Sequence, residues 1–529
     1  MALLDSFAAD GLPRREHWPD LLLGRLRYPA RLNCASALMD GALDAGHGDR
    51  PALIGEFDTL TYRELRSRVD RICRVLVEDL GLVSGNRVLL RAPNNPLLVC
   101  CWLAVAKAGG IVVATMPLLR RRELSDIVER AAIRLALCDD RLLAELDGLC
   151  DQLTSFGELE ARAAQKPDGF EGCDTAADDV VLIAFTSGTS GRPKGTMHFH
   201  RDVLAICDTF SREIVAPRSD DVFIGSPPIA FTFGLGGLVT FPLRVGAATV
   251  LLERGAPELL LEAIERHRAT ICFTAPTAYR AMLSLGMAGR AASLRRCVSA
   301  GETLPRATFE AWQAATGIRL IDGIGTTEML HVFISAADDE IRPGATGRPV
   351  PGYEARVVDD EMGELPAGVV GRLAVRGPTG CRYLNDARQL DYVRDGWNLT
   401  GDAYLVDEEG YFHYQARTDD MIVTSGYNVA GPEVEEALLE HDAVRECAVI
   451  AAADAQRGTI VKAFVVLGPD AAPGEHTVVE LQNFVKARIA PYKYPRAIEF
   501  VDSLPRTENG KLQRYLLREA QAGVRAWNT

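Results

Sequence analysis

Lysine is scarce in this 529-residue chain: seven lysines stand against 51 arginines. The skew is a bias of the whole chain and not a basic patch, because acidic residues outnumber basic ones and the formal charge is -14. A nucleic-acid surface, which needs a basic face, is thereby excluded. Cys-x-x-Cys pairs are also missing. The twelve cysteines are scattered at no metal-like spacing, Cys100 and Cys101 being merely adjacent, and they read as buried free thiols in a reducing compartment. The N-terminus, MALLDSFAADGLPRREHWP, lacks a basic start followed by an apolar run, so a cytoplasmic protein is expected. Long uninterrupted apolar runs are absent too. The stretch from Pro96 to Pro117 comes nearest, but Lys107 and the pair Gly109 and Gly110 break it. It reads as a buried helix over Leu97 to Ala108, a glycine stop, and a strand from Ile111 to Thr115.

What is present is ordinary globular composition, 47% hydrophobic and 25% charged, in a chain too long for one core. An amphipathic helix is expected from Tyr62 to Val77. Strands are expected at Arg87 to Arg91, Leu135 to Cys138 and Val180 to Phe185, and the same rhythm continues through ATVLLE, ATICFTAP and LRRCVSAG. This alternation predicts an α/β fold with much parallel sheet. From about Gly344 to Gly410 the chain turns rich in Gly, Pro and short β-type runs, which predicts a smaller β-rich subdomain. A last unit of α+β character carries a helix from Pro432 to Glu440, strands AVRECAVIAA and IVKAFVVL, a helix VVELQNFVKARI and a short strand AIEFV. The division expected is a large N-terminal domain of mixed α/β sheets plus the β-rich subdomain over 1–418, and a small mobile C-terminal domain over 419–529.

The sharpest local feature is TSGTSGRPKG, Thr186 to Gly195, directly after the apolar strand VVLIAF. Three glycines let a backbone curl closely around an anion, exposed N–H groups and four hydroxyls can donate to phosphate oxygens, and Lys194 adds a charge. It is not the Walker loop, which needs Gly directly before Lys and a hydroxyl residue after it. Here Pro193 precedes Lys194 and Gly195 follows. A plain polar turn is the competing reading, but four hydroxyls and one of only seven lysines in ten positions argue against it.

TSGTSGRPKG resembles the phosphate loop of the adenylate-forming superfamily, which comprises acyl-CoA synthetases, peptide-synthetase adenylation domains and beetle luciferases. Further motifs of that family follow in its order: SAGETLP (Ser299 to Pro305), DGIGTTE (Asp322 to Glu328), TGDAY (Thr400 to Tyr404), ARTDDMIVTSGYNV (Ala416 to Val429) and LPRTENGK (Leu504 to Lys511). The resemblance covers almost the whole chain. It implies that ATP is held by Thr186, Ser187, Gly188, Thr189, Ser190, Gly191 and Lys194, with Thr326 and Thr327 on phosphate oxygens. Ala300, Gly301 and Glu302 line the adenine with Gly323, Ile324 and Gly325, and Asp322 accepts its amino group. Asp402, helped by Arg417, accepts the ribose hydroxyls. Glu328 holds Mg²⁺, and Lys511 bridges the carboxylate and the α-phosphate, which suits a step that concentrates negative charge there. Asp419 is the hinge about which the C-terminal domain turns, and Ser425, Gly426 and Tyr427 border a coenzyme A channel. Two positions depart from many relatives: Ile324 stands where an aromatic residue often covers the adenine, and Asn428 where some acetate-type enzymes carry arginine.

The segments PPIAFTFGLGG (Pro227 to Gly237) and GTTEMLHVF (Gly325 to Phe333) resemble the benzoate–CoA ligase group, most narrowly its 2-aminobenzoate members. That likeness implies a pocket for an aromatic acid lined by Phe231, Thr232, Phe233, Gly234, Gly325, His331 and Val332, with Thr232 placed to meet an ortho amine. Core packing is the competing reading of Phe231 and Phe233. The activity implied is ATP-dependent joining of an aryl acid to AMP and then to coenzyme A. A stand-alone enzyme loading a carrier protein in trans, and a silent nucleotide-binding scaffold, are the alternatives. A homodimer is left open, since no interface is marked.

Overall fold

The computed structural model describes residues 3–186, 193–286, 289–420, 422–424, 427–454, 458–489, 493–506 and 512–521. Helix Pro96–Lys107 shows how its sequence signals act. The Asn95 side chain accepts from the Leu98 N–H at 2.9 Å, Pro96 takes the first helical position, where its missing N–H is not needed, and Gly109, at φ +82°, ends the segment. Every residue of the helix is buried, Lys107 included. Its ammonium is tolerated there because it donates to Asp70 on helix Tyr62–Arg74, and Asp70 also accepts from Arg66 at 3.1 Å. The lysine that argued against a membrane span is thus an internal ion pair, and no helix among the described residues is long and apolar enough to cross a membrane. Helix Tyr62–Arg74 begins at a capping box between Thr61 and Glu64 and widens into a π turn over Val75–Asp79.

Two parallel sheets organise the N-terminal part. The first has six strands in the order Gln152–Ser155, Leu135–Cys138, Arg87–Arg91, Ile111–Thr115, Val180–Thr186 and Lys194–Phe199, parallel except for the last pair. The second has nine, and its parallel centre runs Ile321–Gly325, Arg296–Ala300, Ile271–Thr274, Val222–Gly225, Ala248–Val250, Pro51–Ile54. Strands covered on both faces need no polar alternation, and Arg87–Arg91 is buried along its whole length. The fold is the expected mixed α/β one. The β-rich part follows, with Gly371–Arg376 antiparallel to both Glu354–Val358 and Trp397–Val406, and the latter paired to Phe412–Arg417.

The smaller C-terminal domain packs helices Gly431–Leu439 and Glu475–Arg488 with the hairpin Val444–Asp454 and Gly458–Leu467, to which Ala497–Phe500 adds in parallel. Its core is its own, built on Val434, Leu438, Val449, Val461, Val465, Leu481 and Val485.

Three of the sequence motifs lie at the carboxyl ends of strands. The phosphate-loop segment leaves the carboxyl end of Val180–Thr186, and Ala300 and Gly325 close two neighbouring strands of the second sheet. Crevices outside the carboxyl ends of parallel strands are where such folds bind ligands. The Lys107 pair tests the core itself. Asp70→Asn strands the buried ammonium and is expected to lower stability by about 3 kcal/mol, read as a lowered urea midpoint. Asp70→Asn with Lys107→Met should recover part of that loss.

Candidate active site

Thr186 and Lys194 face each other in register as the last and first residues of an antiparallel pair. Ser187, Gly188, Thr189, Ser190 and Gly191 lie outside the described residues. Lys194 Nζ sits 3.4 Å from the Tyr383 hydroxyl oxygen and 5.0 Å above that ring.

The segment Thr326, Thr327, Glu328 is fixed from three sides. The Thr326 hydroxyl meets the Tyr392 hydroxyl at 3.2 Å. His198 Nε2 donates to the Thr327 carbonyl at 2.8 Å. That carbonyl can only accept, so the ring carries its proton on Nε2. Burial, reinforced by Arg382, pushes the His198 pKa down to about 3 and keeps it neutral. The Tyr383 hydroxyl donates to Glu328 Oε1 at 2.5 Å. None of these three anchors was legible in the sequence. They lie 66, 129 and 55 residues from the groups they hold, and no local motif marks them.

Glu328 is buried. Among the described residues no group of three or more His, Cys, Asp or Glu side chains could cage a metal ion. One carboxylate beside a phosphate loop nevertheless suits Mg²⁺, which is held by one or two carboxylates together with substrate phosphates.

Of the residues expected to line the adenine, Ala300 ends the strand Arg296–Ala300 and Gly301 and Glu302 follow it, with Gly301 at φ +92° turning the chain. The neighbouring strand supplies Asp322, Gly323, Ile324 and Gly325. Asp322 Oδ1 is buried without a hydrogen-bond partner, and burial raises its pKa to about 7. Ile324 is half-buried opposite Ile334. Asp402, 5% exposed, accepts from its cross-strand neighbour Arg417 at 3.0 Å, and the guanidinium also donates to the Thr400 carbonyl.

The residues of the expected acid pocket come together around His331. Its ring lies 5.7 Å from Phe233, 5.2 Å from Phe210 and 4.6 Å from Phe241, centroid to centroid. Both ring nitrogens are buried and unpartnered, and burial drives the pKa down to about 3. Gly236 is obligatory beneath it, since a Cβ there would come within 2.3 Å of the imidazole. Gly234 likewise has no room for a Cβ, which would fall 2.1 Å from the Pro228 carbonyl oxygen. Phe231 precedes the short helix Thr232–Leu235, Thr232 is buried, and Val332 packs over Gly323 beside Gly325. Phe210, Phe241 and Gly236 complete this wall, and sequence reasoning missed the first two.

Asp419 falls in the turn Thr418–Asp420 after Phe412–Arg417, and Tyr427 opens the strand Tyr427–Val429. The side chains of Asp419 and Tyr427, and the whole of Ser425, Gly426 and Lys511, lie outside the described residues. On either side of residues 507–511, which lie outside the described ones, Arg506 pairs with Leu512 in a β-bridge, and the Arg506 guanidinium reaches Glu302 at 3.2 Å and Glu446 at 2.9 Å. The C-terminal domain therefore touches the loop on the base side.

Residues 42–383 match the AMP-binding enzyme family and residues 433–511 the AMP-binding enzyme C-terminal domain. The chain is similar to the benzoate–CoA ligase of Thauera aromatica, 37% identical over 512 residues, spanning 94% of this chain and 97% of that one. Its structure is similar to that of the anthranilate CoA ligase AuaEII in complex with anthranoyl-AMP, with a TM-score of 0.90 at 33% identity, covering 93% of this chain and 98% of the other. A benzoate CoA ligase from Burkholderia xenovorans follows, at 0.86 and 33%, covering 92% and 100%. The phosphate-side loop, the base-side strands and the two-domain build thus have one explanation: the chain belongs to the AMP-binding enzyme family, among the AMP-forming CoA ligases of its benzoate–CoA ligase group.

Proposed function

We propose that this chain activates an aromatic carboxylate, 2-aminobenzoate or benzoate, as its acyl-adenylate and then transfers the acyl group to coenzyme A. The observation that carries the choice of acid is the box of Phe210, Phe233, Phe241 and His331, which begins three residues beyond Glu328 on the same segment. Aromatic walls suit a flat ring. A relative acting on benzoate and a solved structure holding anthranoyl-AMP support the same reading. The unpartnered His331 nitrogens and the buried Thr232 favour a ring with a polar substituent. ATP, Mg²⁺ and coenzyme A occur together in the cytoplasm, which is where the reaction belongs.

In the first step a carboxylate oxygen attacks the α-phosphorus and the bond to the β-phosphate breaks, releasing pyrophosphate. Glu328 holds Mg²⁺, which when bound neutralises phosphate charge. Lys194 and the hydroxyls of residues 186–190 meet phosphate oxygens, with Thr326 and Thr327. Asp322 accepts from the adenine amino group, between the Ala300 to Glu302 loop and Ile324, and Asp402 with Arg417 takes the ribose hydroxyls. Lys511 neutralises the charge gathering between carboxylate and α-phosphate. In the second step the coenzyme A sulfur, as thiolate, attacks the acyl carbonyl and AMP leaves. We place the hinge for the intervening domain rotation at Asp419, at the end of the N-terminal domain 1–418, and the pantetheine route beside Ser425, Gly426 and Tyr427.

Three measurements test these assignments. Lys511→Ala should slow acid-dependent pyrophosphate release by about 100-fold or more while sparing thioester formation from supplied acyl-adenylate; equal loss of both half-reactions removes the role. Thr232→Ala should lower the preference for 2-aminobenzoate over benzoate by about fivefold, the value of one hydrogen bond, read as a ratio of kcat/KM values. For Asp322, a folded pKa near 7 against an unfolded one near 4 means that the native state holds its proton more tightly, so the cost of burying this acid grows as pH rises from about 4 to about 7. Asp322→Asn should therefore gain thermal stability over the parent between pH 5 and pH 8, while retaining an oxygen to accept from adenine.

A further inference from the structure

Tyr383 lies well outside the sequence motifs, yet it touches two of them. The segment Cys381 to Leu384 is laid along strand Lys194–Phe199 almost as an added strand. The Met197 N–H donates to the Arg382 carbonyl at 2.8 Å and the Leu384 N–H to the Gly195 carbonyl at 2.9 Å, with Thr196 and Tyr383 bridged. The Tyr383 N–H donates to Gln389 Oε1 at 2.9 Å. Its ring, 1% exposed, stands edge-on to Tyr392 at 5.8 Å.

That backbone placement leaves the phenol with little freedom. It donates to Glu328 Oε1 at 2.5 Å, and its oxygen lies 3.4 Å from Lys194 Nζ. Burial, and after it the Glu328 charge, raise the Tyr383 pKa, so the group remains a donor. A lysine and a glutamate this close would otherwise pair with each other. ATP and its metal ion would then have to break that pair before either residue could meet a phosphate or a cation. With the phenol between them, Glu328 is oriented through one oxygen and Lys194 is kept off it.

We propose that Tyr383 is a positioning residue for adenylation, orienting the Glu328 carboxylate for the metal ion and holding Lys194 and Glu328 apart until ATP arrives. The proposal rests on the reading of Glu328 as the metal-holding residue, and the two can fail separately. Tyr383→Phe keeps the ring and removes only the hydroxyl. It should weaken Mn²⁺ binding to the enzyme with α,β-methylene-ATP, followed by electron paramagnetic resonance, by about tenfold, and raise the Mg²⁺ concentration needed for half-maximal pyrophosphate release to a similar degree. Thioester formation from supplied 2-aminobenzoyl-adenylate should stay within about twofold, because an effect of this kind is confined to the metal-dependent step. On a Glu328→Gln background, Tyr383→Phe should add little, since the two act as one unit. Unchanged Mn²⁺ affinity in Tyr383→Phe, with Glu328→Gln weakening it, overturns the Tyr383 role alone. No effect of Glu328→Gln sinks both readings. Equal loss of both half-reactions in Tyr383→Phe makes the residue structural and also overturns the proposal.

Discussion

Asp202 and Arg382 are both fully buried, and each charge is tolerable only because of the other. The guanidinium also stacks on Phe199, 4.0 Å from its centroid, which suits a planar, weakly hydrated cation. Breaking such a pair from one side costs about 3–5 kcal/mol. The phosphate side of the site hangs on it. Arg382 pins the segment that brings Tyr383 to Glu328 and Lys194. The Asp202 carboxylate lies 3.9 Å from His198 Nδ1, whose opposite nitrogen holds the Thr327 carbonyl. A loop that must meet a highly charged substrate is thus referred back, through two side chains, to one ion pair that water does not reach.

The second constraint is topological. Parallel strands finish on the same side of a sheet, so the segments after the neighbouring strands Arg296–Ala300 and Ile321–Gly325 collect there without any long loop having to reach across, and His198, on the strand Lys194–Phe199 of the other sheet, ties the second of them to that sheet. The segment from Gly325 to Val332 then does two things in eight residues. Its first half carries the groups assigned to phosphate and metal ion, and its second half carries His331 into the aromatic box. One short piece of chain builds both neighbourhoods, and Gly236, where a Cβ would meet the His331 ring, allows the facing helix to approach closely enough to complete the second.

Much of this was readable in one dimension, for physical reasons. Strands such as Arg87–Arg91 and Leu135–Cys138 are buried on both faces, so a run of apolar residues marks them, closed at both ends by arginine in the first, and their ends fall where expected. Glycine, hydroxyl and lysine crowded after such a strand announce phosphate chemistry because few other tasks need that mixture. Helix Tyr62–Arg74 runs on through a π turn over Val75–Asp79, so the end expected at Val77 falls inside that turn, where the apolar face continues beyond the α-helical residues. What could not be read is the support: His198, Tyr383 and Tyr392 are ordinary residues locally, and only the fold brings them within hydrogen-bond reach of Thr327, Glu328 and Thr326, with Asp202 and Arg382 paired behind them. The same holds for Phe210 and Phe241, which pack near the His331 ring from helices whose apolar residues signal only burial.

The contact between the domains is of a different kind from the pair at Arg382. Arg506 reaches Glu302 with side chains 28% and 17% exposed. Ion pairs that water can reach contribute about 1 kcal/mol or less, and burial raises the pKa of Glu302 in spite of Arg506, so the carboxylate gains little from the arrangement. A tie this weak registers the C-terminal domain against the loop after Arg296–Ala300 at little cost if it breaks. The molecule thus places its costly, water-free pair beneath the segment that holds Thr327 and Glu328, and a readily broken one between its two domains.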